Sequence, residues 1–118
     1  MIQITPHMKI LVAIEPVDFR RGIDGLAGVC RQVLQSDPLA GTVFVFCSRR
    51  RQSIKLLTYD GQGFWIAQKR LSQGRFTHWP KPGEDPACVF DSHQLHALIW
   101  NQEQAHATPL WRPLLKAG

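Results

Sequence analysis

The chain has 118 residues, 44% of them hydrophobic, with fourteen Lys/Arg against nine Asp/Glu and a net charge of +5. That length suits one domain whose core needs no disulfide or metal staple. No apolar run approaches the ~20 residues needed to cross a bilayer, and Met1 to Ile10 lacks the basic flank and long apolar stretch of a secretory signal, so a cytoplasmic protein without a membrane partner is expected.

Lys9 to Ile14 (KILVAI) is a short apolar run before Pro16 and reads as a strand. Ile23, Leu26, Cys30, Val33 and Leu34 follow a helical spacing that Asp37-Pro38 ends. Gly25 and Gly28 fall inside this helix, where each costs about 1 kcal/mol relative to Ala. Close backbone packing or an irregular first turn would explain them. Thr42 to Cys47 (TVFVFC) is β-branched and aromatic and reads as a strand.

Ile54 to Tyr59 and Phe64 to Lys69 are two further strand-like runs around Asp60-Gly61-Gln62-Gly63, residues that tolerate positive φ. The turn predicts a hairpin pairing Tyr59 with Phe64, Leu57 with Ile66 and Lys55 with Gln68. Both faces are largely apolar, which predicts a hairpin inside a larger sheet. Trp79 to Pro86, with three prolines, reads as an irregular connection. Asp91 is expected to cap a helix from Ser92 to about Asn101, with Gln94 completing a capping box. Leu95, Leu98 and Ile99 form its buried stripe; His93, His96 and Trp100 form a second stripe on the other side.

The charge is unevenly spread. Arg20 to Lys81 holds eleven Lys/Arg and three Asp/Glu, a net of +8; the rest holds three against six, a net of −3. A basic middle points to a polyanion, most often nucleic acid. If the strands at 42–47, 54–59 and 64–69 form an antiparallel meander, the loop bearing Arg49, Arg50 and Arg51 shares one end of the sheet with Lys69 and Arg70, and Arg75 extends the patch. Five or six cations gathered there repel one another unless anions compensate, and arginine forks match phosphate oxygens. The bland alternative is a basic edge that discourages sheet-to-sheet pairing.

Other constellations are weaker. In Asp18 to Leu26 (DFRRGIDGL), Arg20 and Arg21 either assist an anion at a helix N-terminus or pair internally with Asp18 or Asp24, one of which caps the helix; the internal reading is preferred. Asp18, Asp24 and Asp60 lack a spacing that would converge on Mg²⁺. His93 and His96 with Cys88 lack a fourth ligand at zinc spacing. Cys47 beside three arginines is either a low-pKa thiol or a packing residue at a strand end, the latter preferred. Three scattered cysteines without a C-x-x-C pair read as reduced thiols. No metal, cofactor or small-molecule ligand is expected.

The series D-F-R-R-G-I-D-G-L (18–26), D-P-L-A-G (37–41), V-F-V-F (43–46), I-K-L-L (54–57), D-G-Q-G (60–63), K-R-L (69–71) and G-R-F…W-P (74–80) resembles the small TnpB-type accessory protein of the insertion-sequence-66 family of bacterial transposons. That protein is unrelated to the RNA-guided nuclease sharing the TnpB name. The resemblance implies a bacterial protein that supports transposition while a separate, larger transposase catalyses it. Many relatives carry acids where this chain has Gln52 and Ser72, so here the basic end is more positive.

The expectation is therefore an α+β fold: a central antiparallel β-meander with at least two packed helices in a single domain over residues 1–104, and a poorly ordered or weakly docked tail over 105–118. Its expected function is non-catalytic DNA binding in transposition, at transposon ends or without sequence preference. Arg49, Arg50, Arg51, Lys69 and Arg70 would contact phosphates, with Arg75, Arg20 and Arg21 adjoining. The alternative is an adaptor that binds the transposase through His93, His96 and Trp100 and has little DNA affinity.

Overall fold

Strands covered on both faces read as unbroken apolar runs rather than alternating ones, and that is what KILVAI and TVFVFC do. The computed structural model describes residues 7–103. In chain order these form β1 (Ile10–Ala13), α1 (Ile23–Gln32), β2 (Val43–Cys47), β3 (Ser53–Tyr59), β4 (Phe64–Arg70), β5 (Ala87–Phe90) and α2 (Ser92–Ile99). The strands make one sheet in the order β4-β3-β2-β1-β5. The tail expected at 105–118 lies outside the described residues.

The meander β2-β3-β4 is present in the predicted register, with Tyr59 opposite Phe64, Leu57 opposite Ile66 and Lys55 opposite Gln68. The sheet then extends beyond β2. β1 pairs parallel to β2, with α1 as the crossover, and β5 pairs antiparallel to β1. The α+β class holds, the sheet is mixed, and the meander forms one flank of it. The hairpin is divided in depth: β3 is interior, while β4 is an edge strand with Trp65, Ala67, Gln68 and Arg70 exposed. Apolar side chains on β4 overstate its burial because no further strand or helix among the described residues covers that margin.

Each face has its own core. Leu26, Val29, Cys30 and Leu34 of the α1 region pack on Leu11, Phe44, Phe46 and Leu57. Leu95 and Leu98 of α2, with Phe76 and Trp79, pack on Ile10, Val12, Val43, Val45, Ile54 and Leu56. Completely burying a side chain such as Leu57 or Val45 contributes about 1.5–3 kcal/mol of transfer free energy. Trp79 also donates its indole N–H to the Ala13 carbonyl at 2.9 Å, which satisfies the polar atom of a buried ring.

The helix ends differ. Asp91 and Gln94 form the predicted capping box: Asp91 Oδ1 accepts from the Gln94 N–H at 2.7 Å, and Gln94 Oε1 accepts from the Asp91 N–H at 2.9 Å. α2 ends two residues earlier than expected, and Asn101 takes the left-handed conformation that closes it. At α1 the cap is Gly22, with no side-chain bond, so neither Asp18 nor Asp24 caps the helix. Gly25 has a packing reason: an added Cβ would lie 2.9 Å from the Cβ of Arg21.

Candidate nucleic-acid interface

The loop between β2 and β3 is built around Ser48. Its hydroxyl accepts from the N–H groups of Gln52 and Ser53, and its carbonyl accepts from the Arg51 N–H at 2.9 Å. Arg51 closes the loop with φ +58, a left-handed position that costs a non-glycine residue roughly 1–2 kcal/mol. Arg49 and Arg50 at the loop tip are exposed.

The ladder register brings the second basic group to the same end. Arg70 stands opposite Ser53, and the Leu71 N–H donates to the Gln52 carbonyl. The Asp60 turn closes the far end of the hairpin, where Asp60 Oδ1 accepts from the N–H groups of Gln62 and Gly63. The Phe76 N–H donates to the Arg51 carbonyl at 2.7 Å, which sets Arg75 beside the loop. The Val17 N–H donates to the Cys47 carbonyl, so the segment before α1 runs along this end too.

Within this end the cations have different fates, because strand parity sends neighbouring side chains to opposite faces. Arg49, Arg50 and Arg70 line a groove of about 280 Å³, together with Gln52, Gln68 and Asp18. Arg20 adjoins through Asp18, which its guanidinium grips with Nη2–Oδ2 at 2.8 Å and Nε to both oxygens at 3.1 Å. Those bonds, and the Arg20 N–H, hold the Asp18 carboxyl well below the usual carboxylate range; the charge of Arg49 adds to this. The internal pairing expected for Asp18 is thus present, without the cap. Arg21 lies across the Val17–Asp18 segment, in a smaller recess with Glu15.

Arg51 instead turns its guanidinium to the Cys47 sulfur, 3.6 Å away. Lys69 donates to the Ile99 carbonyl at 2.8 Å and lies over the ring of Trp100. A cation at a helix C-terminus satisfies an orphan carbonyl and complements the helix dipole.

The chain matches the family described as IS66 Orf2 like protein over residues 8–107. The chain belongs to the IS66 Orf2-like protein family. It is 38% identical over 99 residues to the uncharacterized protein y4jC of Sinorhizobium fredii, covering 84% of this chain and 83% of that one. It is 35% identical over 107 residues to the uncharacterized protein y4hO of the same organism, covering 91% of each chain. No solved structure gives a significant match. As an IS66 Orf2-like protein it is an accessory protein of transposition.

The IS66 Orf2-like chain also carries a buried lysine whose structural role sequence reasoning missed. Lys55 is buried on the α1 face and donates to the carbonyls of Phe19 at 3.0 Å and Arg21 at 3.3 Å, with its ammonium 4.8 Å from the centre of the Phe19 ring. It ties the Asp18–Arg21 segment to the sheet. The available signal was a lysine inside an apolar strand, since a buried ammonium requires acceptors.

On α2, His93, His96 and Trp100 are all exposed, and the rings of His96 and Trp100 lie 6.2 Å apart. The three carboxylates considered for metal binding sit apart: Asp18 at the basic end, Asp60 in the turn at the far end of β3, and Asp24 in the first turn of α1. Among the described residues no group of three or more His, Cys, Asp or Glu is placed to hold a metal ion. Cys47 is a packing residue: burial pushes its thiol up to about 11, against the smaller opposing effect of Arg51. No helix among the described residues is long and apolar enough to cross a membrane.

Proposed function

We propose that this IS66 Orf2-like protein supports transposition by binding DNA in the cytoplasm, through phosphate contacts at the basic end of its sheet and without catalysing strand chemistry. The observation that carries this reading is the groove where Arg49, Arg50 and Arg70 converge around a single carboxylate, Asp18, already bound by Arg20. Three guanidinium groups facing one open groove repel one another, and phosphate oxygens relieve that repulsion while matching the arginine fork. The Ser48 bonds fix the loop backbone, so the arginine side chains adapt without loss of the fold. A loop is suited to phosphates and poorly suited to reading base edges, so binding is largely sequence-neutral.

The test is a salt titration on one duplex. The sequence alone predicts about five phosphate contacts and a slope of log K on log salt of roughly −4 to −5. With Arg51 and Lys69 engaged inside the protein, three of those five remain, Arg75 beside the loop makes about four, and the slope is roughly −3 to −4. Replacing Arg49, Arg50 and Arg70 by Ala flattens it by about 2 to 3. A folded triple variant with an unchanged slope refutes the reading. Cleavage or joining of DNA with Mg²⁺, lost in Asp18→Ala, refutes the absence of catalysis.

A second reading has α2 dock the transposase through His93, His96 and Trp100. The observation favouring it is the outward display of Trp100, 58% exposed, beside His96. Co-purification with the transposase by a protein that lacks DNA affinity would support it.

A further inference from the structure

Among the described residues two tryptophans are exposed, Trp65 at 41% and Trp100 at 58%. They belong to one surface. Trp65, Ala67 and Lys69 of β4 alternate onto the sheet face that carries Ile54, Leu56 and Thr58, the face covered by α2. α2 packs over the β1–β5 side of that face, and among the described residues no element covers the β4 margin, where Ala67 is exposed. At the loop end this strip meets Trp100, whose ring lies over the Lys69 ammonium.

Both rings are held in place. The Trp65 indole N–H donates to Asp60 Oδ2 at 2.7 Å, so the Asp60 carboxylate at that end of the strip is already occupied. Next to Trp100, the Asn101 side chain accepts from the Thr77 N–H at 3.0 Å and donates to the Arg75 carbonyl at 3.1 Å. Arg75 therefore leaves the backbone beside Trp100, whereas Arg70, next after Lys69 on β4, turns to the opposite face of the sheet and its groove. The strip runs from an aromatic ring to an aromatic ring flanked by cations. From Trp65 to Lys69 it spans about 13 Å, a length of at most about four nucleotides at ~3.4 Å each.

We infer that the open face of β4 is a platform for single-stranded DNA, whose bases stack on Trp65 and Trp100 while the basic end of the sheet holds the phosphates. The inference rests on the phosphate reading for its electrostatic part and adds the bases as a separate contact. Pre-positioned aromatic faces accept any base, and cations beside them favour a strand over an apolar peptide. In a duplex the bases are stacked on one another and cannot reach the rings, so the platform discriminates single strand from duplex.

The experiment uses the full chain, with a fluorescein-labelled oligo(dT) of about twelve nucleotides and a blunt duplex of the same length. The expected result is that Trp65→Ala and Trp100→Ala each weaken oligo(dT) binding by about tenfold and change duplex binding by less than about twofold. Trp65→Phe and Trp100→Phe, which keep a ring, retain most of the affinity and control for folding, with circular dichroism as a check. Unchanged oligo(dT) binding by the folded Ala variants overturns the inference, as does an equal loss on both DNAs. Tighter binding of oligo(U) than of oligo(dT) overturns the assignment to DNA. The Arg49, Arg50 and Arg70 triple variant separates the two ideas: it weakens both DNAs if the phosphate reading holds. If it weakens neither while the tryptophan variants lose oligo(dT), the phosphate reading fails and the stacking platform stands.

Discussion

The ammonium of Lys69 lies 4.4 Å from the centre of the Trp100 ring. The same group donates to the Ile99 carbonyl at 2.8 Å, so one edge-strand lysine closes the C-terminus of α2 and supports an exposed aromatic ring. Replacing Lys69 by Met removes the cation–π contact and the charge at the helix end, a loss of about 1–2 kcal/mol. Urea denaturation measures it. The salt slope on duplex DNA should change by less than about 0.5, because this ammonium is engaged inside the protein.

Lys55 predicts a larger effect from a similar device. Lys55→Met keeps the stem volume but leaves the carbonyls of Phe19 and Arg21 without their donor, at a cost of about 1–3 kcal/mol. A purely apolar comparison is Leu57→Ala, at a fully buried site, which should cost about 2–5 kcal/mol. Equilibrium unfolding of both variants checks the two values. An unaltered midpoint for Lys55→Met would mean that its carbonyl contacts contribute nothing net.

Arg51 should behave unlike its neighbours. Its φ of +58 suits glycine, and its guanidinium faces Cys47 rather than the groove. Arg51→Gly should leave stability within about 1 kcal/mol, relief of backbone strain offsetting the lost contact and the greater entropy of the unfolded chain. It should also flatten the salt slope less than Arg50→Ala does. Equal slopes for the two variants would place Arg51 on the phosphates as well.

The pH dependence of Asp18 has a definite sign. Its folded-state pKa is depressed by the Arg20 hydrogen bonds, so its contribution to stability is present above the ordinary aspartate value of 3.8. That contribution is lost as pH falls further toward the folded-state value. Wild type and Asp18→Asn should therefore differ in unfolding midpoint at neutral pH and converge in strong acid. Asp18→Asn also frees Arg20, so its duplex salt slope at neutral pH should steepen by about 1.

Thiol reactivity provides an independent check on the two cores. Burial pushes Cys30 up to about 12 and Cys47 up to about 11, while Cys88 is half-buried and also raised. At pH 8 a disulfide reagent should modify Cys88 first. Rapid modification of Cys47 would show that the arginine loop opens readily from the strand end.

The sequence determined the local pieces and, through them, part of the site. Apolar runs, the Asp60-Gly61 turn and the Asp91–Gln94 box each lie within a few residues, so their physics is complete in a short window. A chain that reverses twice must bring Arg49 to Arg51 and Lys69-Arg70 to one end, and it does. β5 was not legible, because four residues after Pro86 carry too little pattern to distinguish a strand from a connection. The parallel pairing of β1 with β2 was not legible either, since α1 separates them and the partner is chosen by packing on both faces. Tertiary structure alone decided which cations stay available. Lys55 binds a carbonyl 36 residues away and Lys69 one 30 residues away. Strand parity, fixed by the register, then sent Arg70 to the groove and Lys69 to α2. Charge is a property of the residue, but its availability depends on which acceptors the fold brings within about 3 Å.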